Sequence, residues 1–428
     1  MNLYSQLLSQ MKHSPAIERF SRLYGHRDGE LARQLSRYTS LVKAHEELFH
    51  ADKGPLYLIS APGRTEIIGN HTDHNNGRVL AAAVNLDCVA CVSPRDDMNV
   101  NIHSAGYPPI ALSLEDLDVH PEEEGTSAAL VRGVAKGMLD RGFRLGGFDA
   151  AVTSDVMGGS GLSSSAAYEV MICAVIDALY NGFTCESTPR AQIAQFAENV
   201  YFGKPSGLMD QMASSTGGLV TIDFKNEPQV TPLSFSFQDA GYSLVVVNTG
   251  GSHDNLTAEY ASVRTEMQGV AEMLGAKVLR QVRPEELWKH IPELRDKLGE
   301  RAVLRAFHFM DENKRVKDMV QAIRGKDVPA MFEAIIASGE SSWMLLQNIY
   351  PAGIRQPLSL ALAMAASMLK GKGAWRVHGG GFAGTTLNFV PNDMVDDFVR
   401  RMECVFGDHS CFVLDVRPEG AAVVLKEE

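Results

Sequence analysis

Three segments of the sequence concentrate residue types that could do chemistry. Residues 156–167 have the sequence VMGGSGLSSSAA, in which glycines and three serines run into an apolar stretch. This pattern predicts a loop that leads directly into a helix. The N-terminus of a helix presents unpaired N–H groups and the positive end of its dipole, so such a junction can bind an anion, most naturally a phosphate. The serine hydroxyls add donors and can also ligate a hard cation such as Mg²⁺.

A glycine–serine loop alone is weak evidence for a phosphate site, since many such loops only connect two elements. The other two segments strengthen that prediction. Residues 61–77, APGRTEIIGNHTDHNNG, have more charged and polar groups than a connection between apolar strands requires. Residues 379–384, GGGFAG, lie between two strand-like segments. So many glycines indicate backbone that passes close to another group or adopts a positive φ.

In this order and at these spacings, the segments resemble the GHMP kinases and, within them, the galactokinases. Galactokinases have similar motifs, Gly-Arg-x-Asn-Leu-Ile-Gly-Glu-His-Thr-Asp, Pro-x-Gly-x-Gly-Leu-Ser-Ser-Ser, Gly-x-Met-Asp-Gln and Gly-Gly-Gly-Phe-Gly-Gly. This chain also has GLMDQ at 207–211, and AEN at 197–199 resembles the family's Ala-Glu-His. The resemblance extends from about residue 55 to the C-terminus. Four ordered motifs are a specific signal.

The resemblance implies a two-domain α+β fold with the active site in the cleft between the domains. The first domain would be like ribosomal protein S5 domain 2 and the second ferredoxin-like. We expect a helical N-terminal extension over 1–50, a first domain over 51–235 and a second over 236–428. The implied activity is that of an ATP- and Mg²⁺-dependent galactokinase, which phosphorylates the anomeric C1 hydroxyl of galactose to give galactose 1-phosphate and ADP.

Phosphoryl transfer needs positioning, charge neutralisation and a group that accepts the hydroxyl proton. The resemblance gives that last role to Asp210, with Arg64 beside it to offer positive charge to the moving phosphoryl group. Ser165 and Glu198 resemble the family's Mg²⁺ ligands. Each residue also has an ordinary alternative. Asp210 would be a helix cap, Arg64 a salt bridge, Ser165 a hydroxyl bonded within the first helical turn and Glu198 part of a solvated face.

The resemblance also implies the residues that contact the two substrates. ATP would be held by the glycine–serine loop, through Gly159, Gly161, Leu162, Ser163, Ser164 and Ser165. A sugar is recognised by buried hydrogen-bonding groups, because an analogue that leaves one of them unpaired is rejected. The implied sugar-binding residues are Asn70, His71, Asp73, Gly207 and Tyr260. Tyr260 could equally be a half-buried aromatic of a helix, and His71 a satisfied core histidine.

Two departures from the family motif concern the sugar. This chain has Glu66 where galactokinases have asparagine, and Asn70 where they have a glutamate that helps bind the sugar beside its C6 group. An uncharged amide both donates and accepts, so Asn70 suits a C6 hydroxyl, a carboxylate or a pentose without C6. A kinase for galacturonate, arabinose or an amino sugar is therefore an alternative. Met157 for proline and Ala383 for glycine are lesser departures that remove no chemistry.

Apolar patterning predicts alternating strands and helices in both halves of the chain. Residues 1–50 are predicted to be helical and amphipathic. In the first half we expect strands at 56–60, 79–93, 98–104, 147–154 and 218–224 and helices at 126–140, 161–181 and 188–200. In the second half we expect strands at 242–248, 374–378, 384–391, 411–416 and 421–425 and helices at 255–275, 298–323, 327–349 and 355–370.

Size and charge exclude several classes. A chain of 428 residues exceeds one hydrophobic core and predicts two domains, and its net charge of −12 argues against nucleic acid or an anionic membrane as a partner. Six cysteines in this length do not form a disulfide framework, and we expect Cys88 and Cys91, which lie in an apolar strand-like run, to be buried structural thiols. The N-terminus lacks a basic-then-apolar pattern and no apolar run approaches ~18 residues, which predicts a cytoplasmic protein.

Rivals from other classes are weaker. A non-catalytic sensor of sugar and ATP would suit the N-terminal extension, but it would be free to lose Asp210 or Arg64, and both are present. A Rossmann dehydrogenase is excluded because the loop lacks the third glycine of GxGxxG. Mevalonate and homoserine kinases are disfavoured by NHTD at 70–73, which resembles a sugar-kinase feature. A monomer is the default expectation.

Overall fold

The computed structural model describes residues 2–50, 54–156, 158, 161–250, 256–349, 354–382 and 384–427. In this part of the chain two β-sheets carry helices on their faces, which confirms the predicted α+β class. Among the same residues, no helix combines the length and the apolar character that crossing a bilayer requires.

The first sheet is built on a long antiparallel hairpin of β1 (Leu56–Ile68) and β2 (Arg78–Pro94). Both strands are buried on their two faces, which explains why their apolar runs are nearly continuous. The sheet also contains β3 (Asn99–Ser104), β4 (Ile110–Ser113), β5 (Phe148–Ser154), β6 (Leu219–Asp223), β7 (Gln229–Leu233) and β12 (Ala422–Glu427). The order is β12-β1-β2-β5-β3-β4, with β6 paired to the start of β2, and β7 to β6.

Helices cover the two faces of this sheet separately. The N-terminal helices α1 (Leu3–Gln10), α2 (Ser14–Tyr24) and α3 (Glu30–Phe49) pack on one face, in a cluster that includes Leu58. The next residue, Ile59, points to the other face and packs with helices of the first domain. Those helices are α4 (Ser127–Leu139), α5 (Ser164–Tyr180) and α6 (Ser187–Phe196), while α7 (Met209–Thr216) packs against β2 and β6.

The second sheet has four antiparallel strands, β8 (Tyr242–Asn248), β9 (Ala374–His378), β10 (Thr385–Pro391) and β11 (Cys411–Leu414), in the order β11-β8-β10-β9. Between β8 and β9 lie α8 (Thr257–Met273), α9 (Pro284–Lys289), α10 (Ile291–Leu298), α11 (Glu300–Gly325), α12 (Val328–Ser341) and α13 (Pro357–Leu369). The helix α14 (Val395–Phe406) separates β10 from β11. This is the β-α-β-β-α-β arrangement of a ferredoxin-like domain.

The sheets divide between β7 and β8, close to residue 236, but the end of the chain crosses that division. The last strand, β12, pairs with β1, so the C-terminus of the predicted second domain completes the first sheet. Pairing along β1 closes an edge that would otherwise present unpaired backbone groups. Local apolar pattern locates such a strand but cannot say which sheet it joins.

The largest difference from the predicted elements lies in β1. The sequence predicts a strand over 56–60 followed by a polar segment, whereas the strand continues to Ile68. Charged residues remain inside it because they have oppositely charged partners: Arg64 pairs with Asp210, and Glu66 with the buried Arg376. A periodicity of apolar residues cannot register such partners. The prediction also omits several short elements, namely β4, β7, α7, α9, α10 and α14.

Candidate active site

An arginine–aspartate pair lies where β1, the glycine–serine loop and α7 meet. Arg64 donates two hydrogen bonds to Asp210, from Nε to Oδ1 and from Nη2 to Oδ2, each 2.6 Å long. Ser163 Oγ donates to the same Oδ2 at 2.6 Å. Burial opposes the charge of Arg64, but Asp210 raises the pKa of the guanidinium overall. The Asp210 side chain is 28% exposed, so a substrate hydroxyl can reach it.

These residues line a cavity of about 240 Å³ that both halves of the chain enclose. The first half contributes Arg64, the serines of the loop, Lys204 and Asp210. The second half contributes Gly379, Gly380, Gly381, Gly384, His378 and Thr385. The sequence segments that are farthest apart in the chain therefore meet at one site, and its inner surface is rich in backbone and hydroxyl groups.

The glycine–serine loop turns sharply before α5. Gly161 has a φ of 73° and Ser163 a φ of 62°, both in the left-handed region. A Cβ on Gly161 would lie 2.5 Å from Thr385 Oγ1, so only glycine allows the loop to approach β10 this closely. The turn brings the loop against the opposite wall of the cavity.

The rest of the loop is anchored to β1 and opens onto the helix N-terminus. Leu162 is buried, and its carbonyl accepts a hydrogen bond from the Arg64 N–H at 3.0 Å. Ser164 begins α5 and Ser165 follows, so both lie beside the unpaired N–H groups of the first turn. This is the geometry that favours a phosphate. Gly159, also predicted to contact ATP, lies outside the described residues.

The two predicted metal ligands are in direct contact. Ser165 Oγ donates to Glu198 Oε1 at 2.9 Å, and Glu198 lies in a π-helical turn (Ala197–Tyr201) that follows α6. Lys204 Nζ donates to the same oxygen at 2.8 Å, while Gln211 Nε2 donates to Oε2 at 2.8 Å. A hydroxyl and a carboxylate are the hard oxygen donors that Mg²⁺ prefers. The residues present therefore fit a magnesium ion shared with phosphate.

Two residues at this site escaped the sequence prediction. Partial desolvation opposes the charge of the Lys204 ammonium, but the ion pair with Glu198 raises its pKa overall, and the side chain lines the cavity as a cation. His378 bonds to Thr65 Oγ1 and to Thr385 Oγ1, each at 3.0 Å, and burial lowers the pKa of its imidazole well below the usual value. Neither residue belongs to a motif, although His378 immediately precedes the glycine run.

A second cavity, of about 520 Å³, is lined by His71, Asp73, Gly207 and Tyr260. These are four of the five predicted sugar-binding residues. A Cβ on Gly207 would lie 1.8 Å from Asp73 Oδ2, so a glycine is required for this close approach. The lining also includes polar residues that the sequence prediction missed, among them His74, Gln195, Asn226 and Arg264.

The glycine run connects the second cavity to the first. His71 Nε2 lies 3.0 Å from the Gly380 carbonyl, and the Tyr260 hydroxyl donates to the Gly381 carbonyl at 2.7 Å. Because a carbonyl only accepts, His71 carries its hydrogen on Nε2 and presents Nδ1 as an acceptor. Burial lowers the pKa of His71 to about 4, with a further contribution from His74, so the imidazole is neutral near pH 7. Burial raises the pKa of Tyr260 to about 12.

The structure does not bring Asn70, the fifth predicted sugar-binding residue, to the cavity surface. Its side chain is 1% exposed. Asn70 Nδ2 donates to Gly379 O at 2.7 Å and to Glu66 Oε1 at 3.1 Å, while Oδ1 accepts from Asn348 Nδ2 at 2.9 Å. Glu66 in turn pairs with the buried Arg376 at 2.7 Å. Protein groups therefore satisfy both ends of the Asn70 amide. Glu66 supplies the carboxylate of the contacting pair Glu66–Asn70.

The chain resembles known proteins in its sequence signatures and in its fold. Residues 43–94 match the galactokinase galactose-binding signature, and residues 129–218 match the N-terminal domain of GHMP kinases. In fold, the chain is similar to the crystal structure of Lactococcus lactis galactokinase complexed with galactose, with a TM-score of 0.78, 23% identity, and coverage of 91% of this chain and 100% of that chain. A mevalonate kinase is more distant, with a TM-score of 0.60 at 14% identity, over 84% of this chain and 98% of that one. The fold is therefore that of the GHMP kinases.

Sequence similarity distinguishes among the families that share the GHMP kinase fold. The galactokinase of Glaesserella parasuis is 34% identical over 350 residues, which cover 79% of this chain and 86% of that protein. The galactokinase of Streptomyces coelicolor is 32% identical over 363 residues, which cover 84% of this chain and 90% of that protein. The chain belongs to the galactokinase family, which confirms the resemblance inferred from its motifs.

Proposed function

We propose that this protein is a galactokinase that transfers the γ-phosphoryl group of ATP to the anomeric C1 hydroxyl of galactose. The observation that carries the proposal is the position of Asp210. It lies three residues after Gly207 of the larger cavity, and it lines the smaller cavity beside the glycine–serine loop. A hydroxyl presented from the larger cavity would therefore meet a carboxylate next to a phosphate site.

Asp210 and Arg64, the charged pair beside the glycine–serine loop, would have separate roles. Asp210 accepts the proton of the attacking hydroxyl, and the bidentate bond to Arg64 keeps its carboxylate oriented. Arg64 then offers positive charge to the phosphoryl group as it moves between the substrates. Gly161, Leu162, Ser163, Ser164 and Ser165 hold the phosphates of ATP through backbone and hydroxyl donors, and the same role for Gly159 is part of the proposal.

Ser165 and Glu198 would hold Mg²⁺, which when bound neutralises phosphate charge. Gln211 orients Glu198 by donating to its second oxygen. Lys204 supplies a countercharge to Glu198 and can turn to a phosphate, because its side chain is 59% exposed. The role of these residues is to keep oxygen ligands and a cation within reach of the phosphates.

Sugar binding would use hydrogen-bond acceptors and donors of the larger cavity. His71 Nδ1, the Asp73 carboxylate, the Gly207 backbone and the Tyr260 hydroxyl surround the space that a pyranose would occupy. Asn70 would act indirectly, since its buried amide bonds to the Gly379 carbonyl and to Asn348 instead of to the sugar. We infer that the exchange of Asn and Glu between positions 66 and 70 removes a carboxylate from the C6 side and relaxes selectivity there.

The experiment that tests the activity is ADP release with MgATP across galactose, galacturonate, arabinose, galactosamine, glucose and no sugar. We expect turnover that depends on galactose. Sugar binding without turnover on any member of the panel would instead favour a non-catalytic sensor. Absence of both would contradict the proposal.

Selectivity at the C6 group of the sugar is tested by exchanging residues 66 and 70, so that they match the galactokinase motif. In the double variant Glu66→Asn/Asn70→Glu the net charge of the pair is unchanged, so the cost of adding a buried carboxylate is largely avoided. We expect it to discriminate more strongly between galactose and C6-modified sugars than the wild type does. An unchanged ratio of kcat/KM values across the panel would overturn the inferred role of positions 66 and 70.

A further inference from the structure

The segment that carries the proposed sugar-binding residues has an unusual backbone. Gly69 has a φ of 113°, and His71 has a φ of 56°, so both neighbours of Asn70 lie in the left-handed region. For a residue with a side chain, such as His71, this conformation is strained and persists only where surrounding structure enforces it. We call residues 69–73 the sugar-binding turn.

The groups that hold this turn come from a helix of the other domain. Glu312 of α11 accepts hydrogen bonds from two consecutive backbone groups through one oxygen: Oε1 lies 2.9 Å from Gly69 N and 3.3 Å from Asn70 N. One turn earlier on α11, His308 Nε2 lies 2.9 Å from the Asn70 carbonyl. Because a carbonyl only accepts, His308 is the donor. The helix thus binds the N–H and the C=O of the same residue.

Glu312 is itself held in one orientation. Ser338 Oγ donates to its Oε1, and Arg315 Nη1 donates to its Oε2 at 2.6 Å. The side chain is fully buried. Burial opposes its charge, but the nearby His308, Arg376 and Arg315 lower the pKa of the carboxyl to about 2. It therefore remains a carboxylate that accepts from every neighbour it contacts.

We propose that Glu312 is a positioning residue for the sugar, which acts through the sugar-binding turn and touches neither substrate. The proposal rests on the proposed function, since it assigns the sugar to the cavity that His71 and Asp73 line. Without the Glu312 carboxylate, the N–H groups of Gly69 and Asn70 lose their buried acceptor, and the left-handed backbone at His71 loses its enforcement. His71 and Asp73 would then leave the geometry in which they face the sugar.

The helix reaches only one of the two substrate sites, which makes the proposal specific. The glycine–serine loop is held by Arg64 of β1 and by Asp210, and the described residues that line the smaller cavity include none from α11. Loss of Glu312 should therefore weaken sugar binding and leave ATP binding intact. A general loss of folding would affect both substrates alike.

The test compares Glu312→Ala and Glu312→Gln with Asp318→Asn, a control on the exposed side of the same helix, where Asp318 pairs with Lys314. Galactose binding is measured by calorimetry without ATP, and KM is measured for each substrate. We expect the galactose Kd and KM to rise about tenfold in Glu312→Ala, which corresponds to about 1.4 kcal/mol of binding free energy. Glu312→Gln keeps one acceptor oxygen and should restore part of the loss. The ATP KM should stay within about twofold of the wild type.

The outcomes separate this inference from the proposed function. Wild-type turnover on galactose with an unchanged galactose KM in Glu312→Ala would overturn the positioning role and leave the kinase intact. Equal increases in both KM values would also overturn it. If the alanine variant does not fold, Glu312→Gln and Ser338→Ala carry the same comparison, since each weakens one bond of the cluster. A wild type that binds no sugar would overturn both proposals.

Discussion

Asp87 and Asp210 lie in different parts of the molecule but have the same kinds of partner. Each aspartate is paired with arginine and accepts a hydrogen bond from a serine hydroxyl: Asp210 contacts Arg64 and Ser163, while Asp87 contacts Arg37 and Ser60. Asp87 accepts two further hydrogen bonds, from the Tyr24 hydroxyl and from Arg417 Nη1, and Arg417 also donates to Ser60 Oγ. The chemistry of the side chains therefore does not distinguish the two sites.

Solvent access distinguishes them. The Asp87 side chain is 0% exposed and lies between the N-terminal helices and the first sheet, whereas the Asp210 side chain is 28% exposed and lines a cavity. Burial opposes the charge of Asp87, but Arg37 and Arg417 lower the pKa of the carboxyl overall. We infer that Asp87 joins α2 and α3 to the sheet, while Asp210 keeps room for a substrate. Substitutions at matched positions should separate these roles.

The largest effect is expected for Asp210→Asn. An amide cannot take the hydroxyl proton, and loss of a general base typically lowers kcat by ~10²–10⁴-fold. The cooperative unfolding transition should remain, because the variant fills the same space. Steady-state ADP release and denaturant unfolding check the two statements. Turnover close to that of the wild type would show that another group accepts the proton. It would contradict the catalytic role of Asp210 on which the comparison with Asp87 depends.

The second effect is expected for Asp87→Asn, in stability rather than in activity. The variant leaves the buried Arg417 without its carboxylate partner and Arg37 with the more exposed Asp155. Loss of one partner of a buried ion pair costs about 3–5 kcal/mol of the free energy of unfolding. The kcat of the folded fraction should not change. Asp155→Asn is the matched control, since Asp155 also pairs with Arg37, at 3.2 Å, but is 22% exposed. We expect it to cost less than ~1 kcal/mol. Equal losses in the two variants would contradict the role assigned to burial.

A third prediction uses the pH dependence of stability in the N-terminal helices. Burial lowers the pKa of His45 to about 4, below the ~6.5 of an unfolded chain. Protonation therefore favours the unfolded state: the contribution is complete above about pH 6.5 and is lost as pH falls towards 4. Between pH 7 and 5, His45 alone should remove about 2 kcal/mol of the free energy of unfolding. The wild type should lose that much more than His45→Gln in denaturant titrations at both pH values, and parallel losses would refute the prediction.

The smallest effects are expected when each aspartate loses its serine. Ser60→Ala removes a buried hydrogen bond to Asp87 and should lower the free energy of unfolding by about 1.5 kcal/mol, with kcat unchanged. Ser163→Ala removes the bond to Asp210 and should lower kcat by roughly tenfold, which corresponds to about 1.4 kcal/mol of barrier, with little loss of stability. Unfolding and turnover measurements on both variants sharpen the comparison. An exchange of the two phenotypes would reverse the roles of the two sites.

The sequence predicted the site more completely than the elements around it. Arg64, Ser163, Ser165, Glu198 and Asp210 come from motifs, and the structure brings them together around one cavity. Motifs succeed here because chemistry requires particular side chains at short spacings. Their catalytic and ligand-binding roles remain predictions until the variants are measured.

The residues that the motifs missed share a different property. His378 and Glu312 contact the site from segments whose local sequence has no characteristic pattern, and Lys204 lies between two motifs without belonging to either. Asn70 shows the converse case, since it belongs to a motif but faces protein partners instead of the cavity. Such residues are identified by what they touch, and contacts across hundreds of residues leave no signal in local spacing.

The sequence by itself determined the family, the α+β class and the groups able to do phosphoryl chemistry, because these depend on residue types and on apolar periodicity. Only the tertiary structure decided that Asp87 is enclosed and Asp210 accessible, that β12 completes the first sheet, and that α11 holds the sugar-binding turn. The physical reason is that burial and long-range pairing depend on which distant segments share a volume. An isolated segment of chain does not contain that information.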